Sequence, residues 1–262
     1  MPESLHDITP IPGSIIALLL PGYSPGLAWM ARALNADRVI LDDLHPFSRK
    51  GKVHRTIIRT PDGHQWLTIP FVSEDRRKPI NKVRIDHRRP WLRHHLQALE
   101  YNYRNSPYFD YYEPEIRVDF ETASENVFLL DTVRHLMQRQ WLYLELSASV
   151  EWTSELNSSN DDPVYLLNPS RTQVDESENS ERGSNALGSR ATVWQEPESR
   201  NYQIPHPLAG RTDYVEPAFH IPEYRQHFSG FIPGCGLFDL LFEYGPDAWQ
   251  ILDDLRIEVR RK

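Results

Sequence analysis

Cysteine is all but missing from this chain: Cys235 stands alone, so no disulfide can form within it. Long apolar runs are missing too. The longest, Ile15 to Leu20, stops at Pro21 and Gly22, far short of the roughly 18 consecutive apolar residues of a membrane span. The opening MPESLHDITPIP has neither a basic n-region nor an apolar h-region, so a cytoplasmic protein without membrane insertion is expected. Also absent are a Gly-rich phosphate loop, HExxH, GxSxG and paired-cysteine spacing, which sets aside the nucleotide-binding, zinc-hydrolase and serine-hydrolase chemistry those motifs carry. No metal site is expected on these grounds, and no cofactor is specified.

What is present suffices for a sizeable core: 39% of 262 residues are hydrophobic and 7 are Trp. We expect a tail over 1–13 and one α/β domain over 14–262, with a central mixed sheet and flanking helices. The apolar run from Ser14 to Leu20 reads as a strand, PGYSPG as a turn, LAWMARALNAD as a helix and RVILDD as a second strand. That is a βαβ-like opening. A hairpin follows, from Val53 to Pro70, around Pro61-Asp62-Gly63-His64. Ile80 to Ile85 reads as a further strand, and Pro90 starts a helix with Trp91, Leu92, His95, Leu96 and Leu99 on one face. Another helix is expected from a capping Ser124 to Leu146. Trp91 and the hairpin Trp66 are both expected to be buried. Residues 153–200 carry nine acidic and four basic side chains among many Ser and Asn, and read as a long flexible acidic insert. Gly236 to Tyr244 and Ala248 to Ile257 read as one or two closing helices around the Gly245-Pro246 break.

Charge is unevenly spread. Between Leu44 and Arg104 there are 14 Lys plus Arg against 5 Asp plus Glu, a balance of +9, and the total of −8 leaves −17 for the rest. Such a cluster is either paired with the acidic remainder or relieved by an external anion. With no helix-turn-helix, zinc finger or RNA-recognition signature, a small phosphorylated or carboxylated molecule fits better than nucleic acid. Arg55, Arg88, Arg89 and Arg104 are the natural anion forks. His94 and His95, adjacent on a helix, point about 100° apart and cannot share a metal. His95 lies on the apolar face, as a structural or a site residue. Asp42 and Asp43 at a strand exit would serve as general base, cation ligands or a simple cap. The tyrosines from Tyr101 to Tyr112 are core, or stack a ring beside arginine.

In combination these stretches resemble the WbqC-like protein family, found in bacterial surface-polysaccharide (O-antigen) gene clusters. PGYSPG resembles its opening Pro-x-Tyr-x-Pro, NADRVILDD its apolar strand with an Asp pair, and HRTIIRTPDGHQWLTIPF its Arg-containing hairpin. PINKVRIDHRRPWLRHHLQALEYNYRNSPYF is similar to its most recognisable block, and GFIPGCGLFDLLFEYGPDA to its closing elements. Two departures stand out: Leu19 occupies a position where many members carry His, and the C-terminal His-Pro-x-Tyr element reads His220-Ile221-Pro222-Glu223-Tyr224. The resemblance implies a transferase acting on a sugar nucleotide or glycan intermediate. The alternative is a non-catalytic scaffold of the glycan pathway that uses a basic face. The expected site has Asp43 and His95 in catalysis, with Tyr23, Asp42, Arg55, Tyr103, Arg104 and Tyr108 binding an anionic substrate.

Overall fold

The computed structural model describes residues 15–146, 149–156, 165–166, 191–195, 205–206, 212–215 and 221–256. The chain divides into two compact units. The first comprises the described residues of Met1–Leu20, Ala36–His45 and Ser149–Pro217, and the second those of Pro21–Asn35, Pro46–Ala148 and Ala218–Lys262.

In chain order the elements are β1 (Ile15–Leu19), α1 (Leu27–Leu34), β2 (Arg38–Leu41), β3 (Arg55–Thr60), β4 (Gly63–Thr68), α2 (Trp91–Tyr103), α3 (Phe109–Ser124) and α4 (Leu129–Tyr143). They continue with β5 (Val150–Trp152), β6 (Tyr165–Leu166), β7 (Ala191–Gln195), β8 (Pro205–His206), β9 (Thr212–Val215), α5 (Leu237–Tyr244) and α6 (Ala248–Asp253). The α/β class is as expected. Five strands of the first unit form one sheet in the order β5-β2-β1-β7-β9, every pair parallel. Strands in such a sheet are apolar along their whole length because both faces are covered, and Ala17, Leu18, Leu19, Val39, Ile40 and Leu41 are all buried. Most of the stretch 153–200 lies outside the described residues, as does the tail 1–13. Its Ala191–Gln195, however, is β7, paired between β1 and β9.

The second unit is helical around one hairpin. In β3–β4, Thr60 pairs with Gly63, so the loop is only Pro61-Asp62, and Gly63 takes φ 141°, a conformation that favours glycine. Two expectations are corrected here. Residues 80–85 are not a strand: Ile80–Lys82 form a 3-10 turn, after which Arg84 and Ile85 make isolated bridges to Phe128 and Phe71. Nor is Ser124 a cap. It ends α3, its hydroxyl donating to the Glu121 carbonyl, and α4 begins five residues later at Leu129. The local signal misled because Pro114 lies inside α3, where the missing N–H and the ring normally interrupt a helix. The apolar stripe of Phe109, Tyr112, Ile116, Phe120 and Ala123 overrides it by burial.

The core of this unit is aromatic. Tyr23, Trp91, His95, Phe120 and Phe238 lie in successive contact, with ring centroids 5.1 to 6.5 Å apart in mostly tilted or edge-on geometry. At one side of it Asp239, fully buried, accepts from Tyr103 (2.8 Å), Tyr224 (2.8 Å) and Gln226 (3.0 Å), while Tyr103 in turn accepts from the Arg59 amide. Burial pushes the Asp239 carboxyl above its ordinary value, although all three donors pull it down. Asp239→Ala orphans two buried phenols at about 2 kcal/mol each; relief from burying the carboxylate offsets part, so about 3 kcal/mol should be lost in urea unfolding. Asp239→Asn, which keeps an acceptor oxygen, should lose less. Among the described residues no helix is long and apolar enough to cross a membrane.

A candidate anion-binding cleft

The second unit holds a cleft of about 1230 Å³, bounded on one side by the hairpin and on the other by α2. The helix periodicity explains its lining. Trp91, His95, Ala98, Leu99, Asn102 and Tyr103 face the core, which leaves His94, Gln97, Tyr101 and Arg104 as an exposed stripe spanning ten residues, about 15 Å at the α-helical rise. All four line the cleft. From the hairpin come Arg55, Gln65, Trp66, Leu67 and Thr68; Arg49 precedes it, and Arg89 with Pro90 leads into α2.

The balance is strongly positive. Arg49, Arg55, Arg89 and Arg104 line the cleft against a single carboxylate, Glu100. Arg89 lies 3.7 Å from Asp86, but Arg49, Arg55 and Arg104 have no carboxylate partner among the described residues. The cation density expected for residues 44–104 is therefore split: Lys78 and Arg84 are tied to buried Asp75, and Arg88 forks onto Asp86. Those carboxylates are held below their usual range by the guanidinium hydrogen bonds. Arg88, a sequence candidate for an anion fork, is thus engaged elsewhere.

Of the expected site residues, Arg55, Arg104 and His95 meet at this cleft. His95 is buried beneath it with both ring nitrogens engaged. Nδ1 lies 2.8 Å from the Trp91 carbonyl, which can only accept, so Nδ1 carries the hydrogen and Nε2 faces the Tyr23 hydroxyl at 3.2 Å. Burial lowers this imidazole to about 4. Tyr23 also lies 3.1 Å from the Leu67 carbonyl and is fully buried, so its hydroxyl ties the turn to the hairpin. Tyr103 is spent on Asp239. Tyr108 is half-buried with its ring against Gly245, where a Cβ would come within 2.5 Å.

Asp42 and Asp43 belong to the first unit, at the exit of β2 as expected, and both are buried. Asp43 accepts from both the amide and the hydroxyl of Ser154, fixing the 3-10 turn Thr153–Glu155. Asp42 accepts from Thr153 and lies 3.6 Å from His45. Among the described residues no cluster of three His, Cys, Asp or Glu could hold a metal ion.

Sequence reasoning missed three cleft residues. Trp66, expected in the core, is 36% exposed because it lies on the open side of the hairpin, with the Arg55 guanidinium 4.2 Å over its ring. Tyr101 is 78% exposed. His94 is exposed and its ring makes no hydrogen bond among the described residues, whereas its neighbour His95 makes two. The signal for Tyr101 and His94 was the complement of the apolar helix face, the positions left over when it is assigned.

One unit carries a parallel sheet and the other is helical with an arginine-lined cleft, an α/β protein with a candidate anion site. Residues 21–251 match the WbqC-like protein family, and the chain belongs to it. It is also 25% identical over 252 residues to an uncharacterized protein, Rv1507c, of Mycobacterium tuberculosis, covering 89% of this chain and 95% of that one. No solved structure matches it.

Proposed function

We infer that this protein is a transferase of bacterial surface-polysaccharide biosynthesis, of the O-antigen kind, which holds a phosphorylated or nucleotide-linked sugar in the cleft. The observation that carries this reading is the cleft's charge: four guanidiniums against one carboxylate, three of them without an acidic partner among the described residues. Like charges gathered along one cleft repel one another, and a phosphate or pyrophosphate relieves them with charge-assisted, bidentate bonds. Trp66 and Tyr101 beside those cations suit a sugar or base ring. His94 is an exposed cleft imidazole whose ring makes no hydrogen bond among the described residues, and it is placed to exchange a proton with bound substrate.

The scaffold reading is favoured by one set of facts: Leu19 replaces the histidine of many members, while His95 and Asp43 spend their polar atoms on protein partners. Purified protein incubated with a panel of sugar nucleotides and acyl donors, read by mass spectrometry, separates the two. Turnover that falls by about 100-fold in His94→Ala, the scale of a lost acid–base group, is the expected result. Tight capture with no product from any donor would replace the transferase by the scaffold.

A further inference from the structure

Arg55 is held as few exposed arginines are. The hairpin register pairs it with Thr68, which puts Trp66 at the diagonal position of the same face, and the guanidinium carbon lies over the indole, 4.2 Å from the ring centroid. Its Nε donates to the Gly51 carbonyl at 3.0 Å and its Nη2 to the Lys50 carbonyl. Two of five N–H groups are thereby taken up by backbone carbonyls of the turn before β3, and three remain. A side chain with this many rotatable bonds ordinarily gives up much of its binding energy to ordering. Here the ordering is already done by the protein.

We propose that Trp66 is a positioning residue that pre-sets Arg55 as a bidentate clamp for a phosphoryl group of the ligand. The proposal rests on the anion-cleft reading above and adds which group is gripped, by which edge, and what holds the grip. A planar fork fixed in orientation selects tetrahedral oxyanions that offer two oxygens in its plane, so Lys at position 55 would keep the charge and lose the selection. A register slip of one residue in the hairpin would carry Trp66 to the opposite face and undo the arrangement.

The test is calorimetric titration of the full chain with inorganic pyrophosphate, with melting temperature as the folding control. Arg55→Lys should weaken binding by about 10-fold or more, the scale of a lost charge-assisted fork. Trp66→Leu should weaken it by about 3-fold and Trp66→Phe by less, since phenylalanine keeps a ring face. The double variant Arg55→Lys/Trp66→Leu should be no weaker than Arg55→Lys alone, because Trp66 acts through Arg55. Losses that multiply, or Trp66→Leu binding like wild type, overturn the positioning role. If Arg55→Lys binds unchanged while Arg104→Ala weakens binding, the clamp falls and the anion cleft stands. If the unaltered protein takes up no pyrophosphate, both fall.

Discussion

Acid should unfold this protein earlier than its carboxylates alone would. His54 and His95 are both buried, and each imidazole is lowered from 6.5 to about 4, by burial first and, for His54, by the Arg55 charge next. In the unfolded chain they protonate near 6.5; in the folded protein they stay neutral until about 4. Across that window the unfolded state binds more protons, so stability present above pH 6.5 is lost as pH falls toward 4. Each shift corresponds to about 3 kcal/mol, so the pair accounts for on the order of 6 kcal/mol, comparable to the whole stability of many domains. Asp239, which burial raises, acts in the opposite direction over acid pH, and the two histidines together outweigh it. Urea unfolding at a series of pH values checks it, and His54→Gln/His95→Gln should flatten the profile. A flat wild-type profile between pH 6.5 and 4 would mean that neither imidazole stays neutral in the folded protein.

Trp91→Ala should be the most damaging single truncation of the aromatic core. The indole packs edge-on to His95 at 5.1 Å and against Phe120 at 6.3 Å, with only 4% of its surface exposed. Removing it takes away a large transfer free energy and leaves a cavity that the rigid rings around it cannot close, about 4 kcal/mol in all. His95 makes this worse, since its Nδ1 is bound to the backbone of residue 91 and its ring loses the wall that orients it. The loss should appear as a lower urea midpoint with an unchanged slope. Trp91→Ala with wild-type stability would show that the indole does not occupy the core.

Several features were legible from the residues in order. The apolar runs at 15–19 and 38–41 needed only the rule that doubly covered strands are apolar throughout. The hairpin needed only Asp62-Gly63, and the orientation of α2 only the spacing of Trp91, His95 and Leu99. The clustered arginine at 44–104 likewise set the sign of the charge on that segment. These are all local signals, carried by periods of two or 3.6 residues or by composition over a window. α3 shows where that ends. Its stripe is regular, but Pro114 sits within it, and only burial against other helices decides that the helix continues.

The roles of individual polar residues were decided by the tertiary structure. Tyr23, Tyr103 and Asp43 look like site residues by type, yet their partners Leu67, Asp239 and Ser154 stand 44, 136 and 111 positions away. No spacing rule reaches that far, so a hydroxyl or carboxylate spent on the protein and one offered to a ligand look alike in sequence. Trp66 makes the opposite point, since the hairpin register that the sequence predicts sets its face but not whether that face is covered. The sequence by itself determined the family, several of the elements and the sign of the charge. Which arginines remain without an acidic partner, and which histidine of the adjacent pair meets the cleft with an open ring, followed only from packing, because burial and long-range hydrogen bonds are properties of the assembled core.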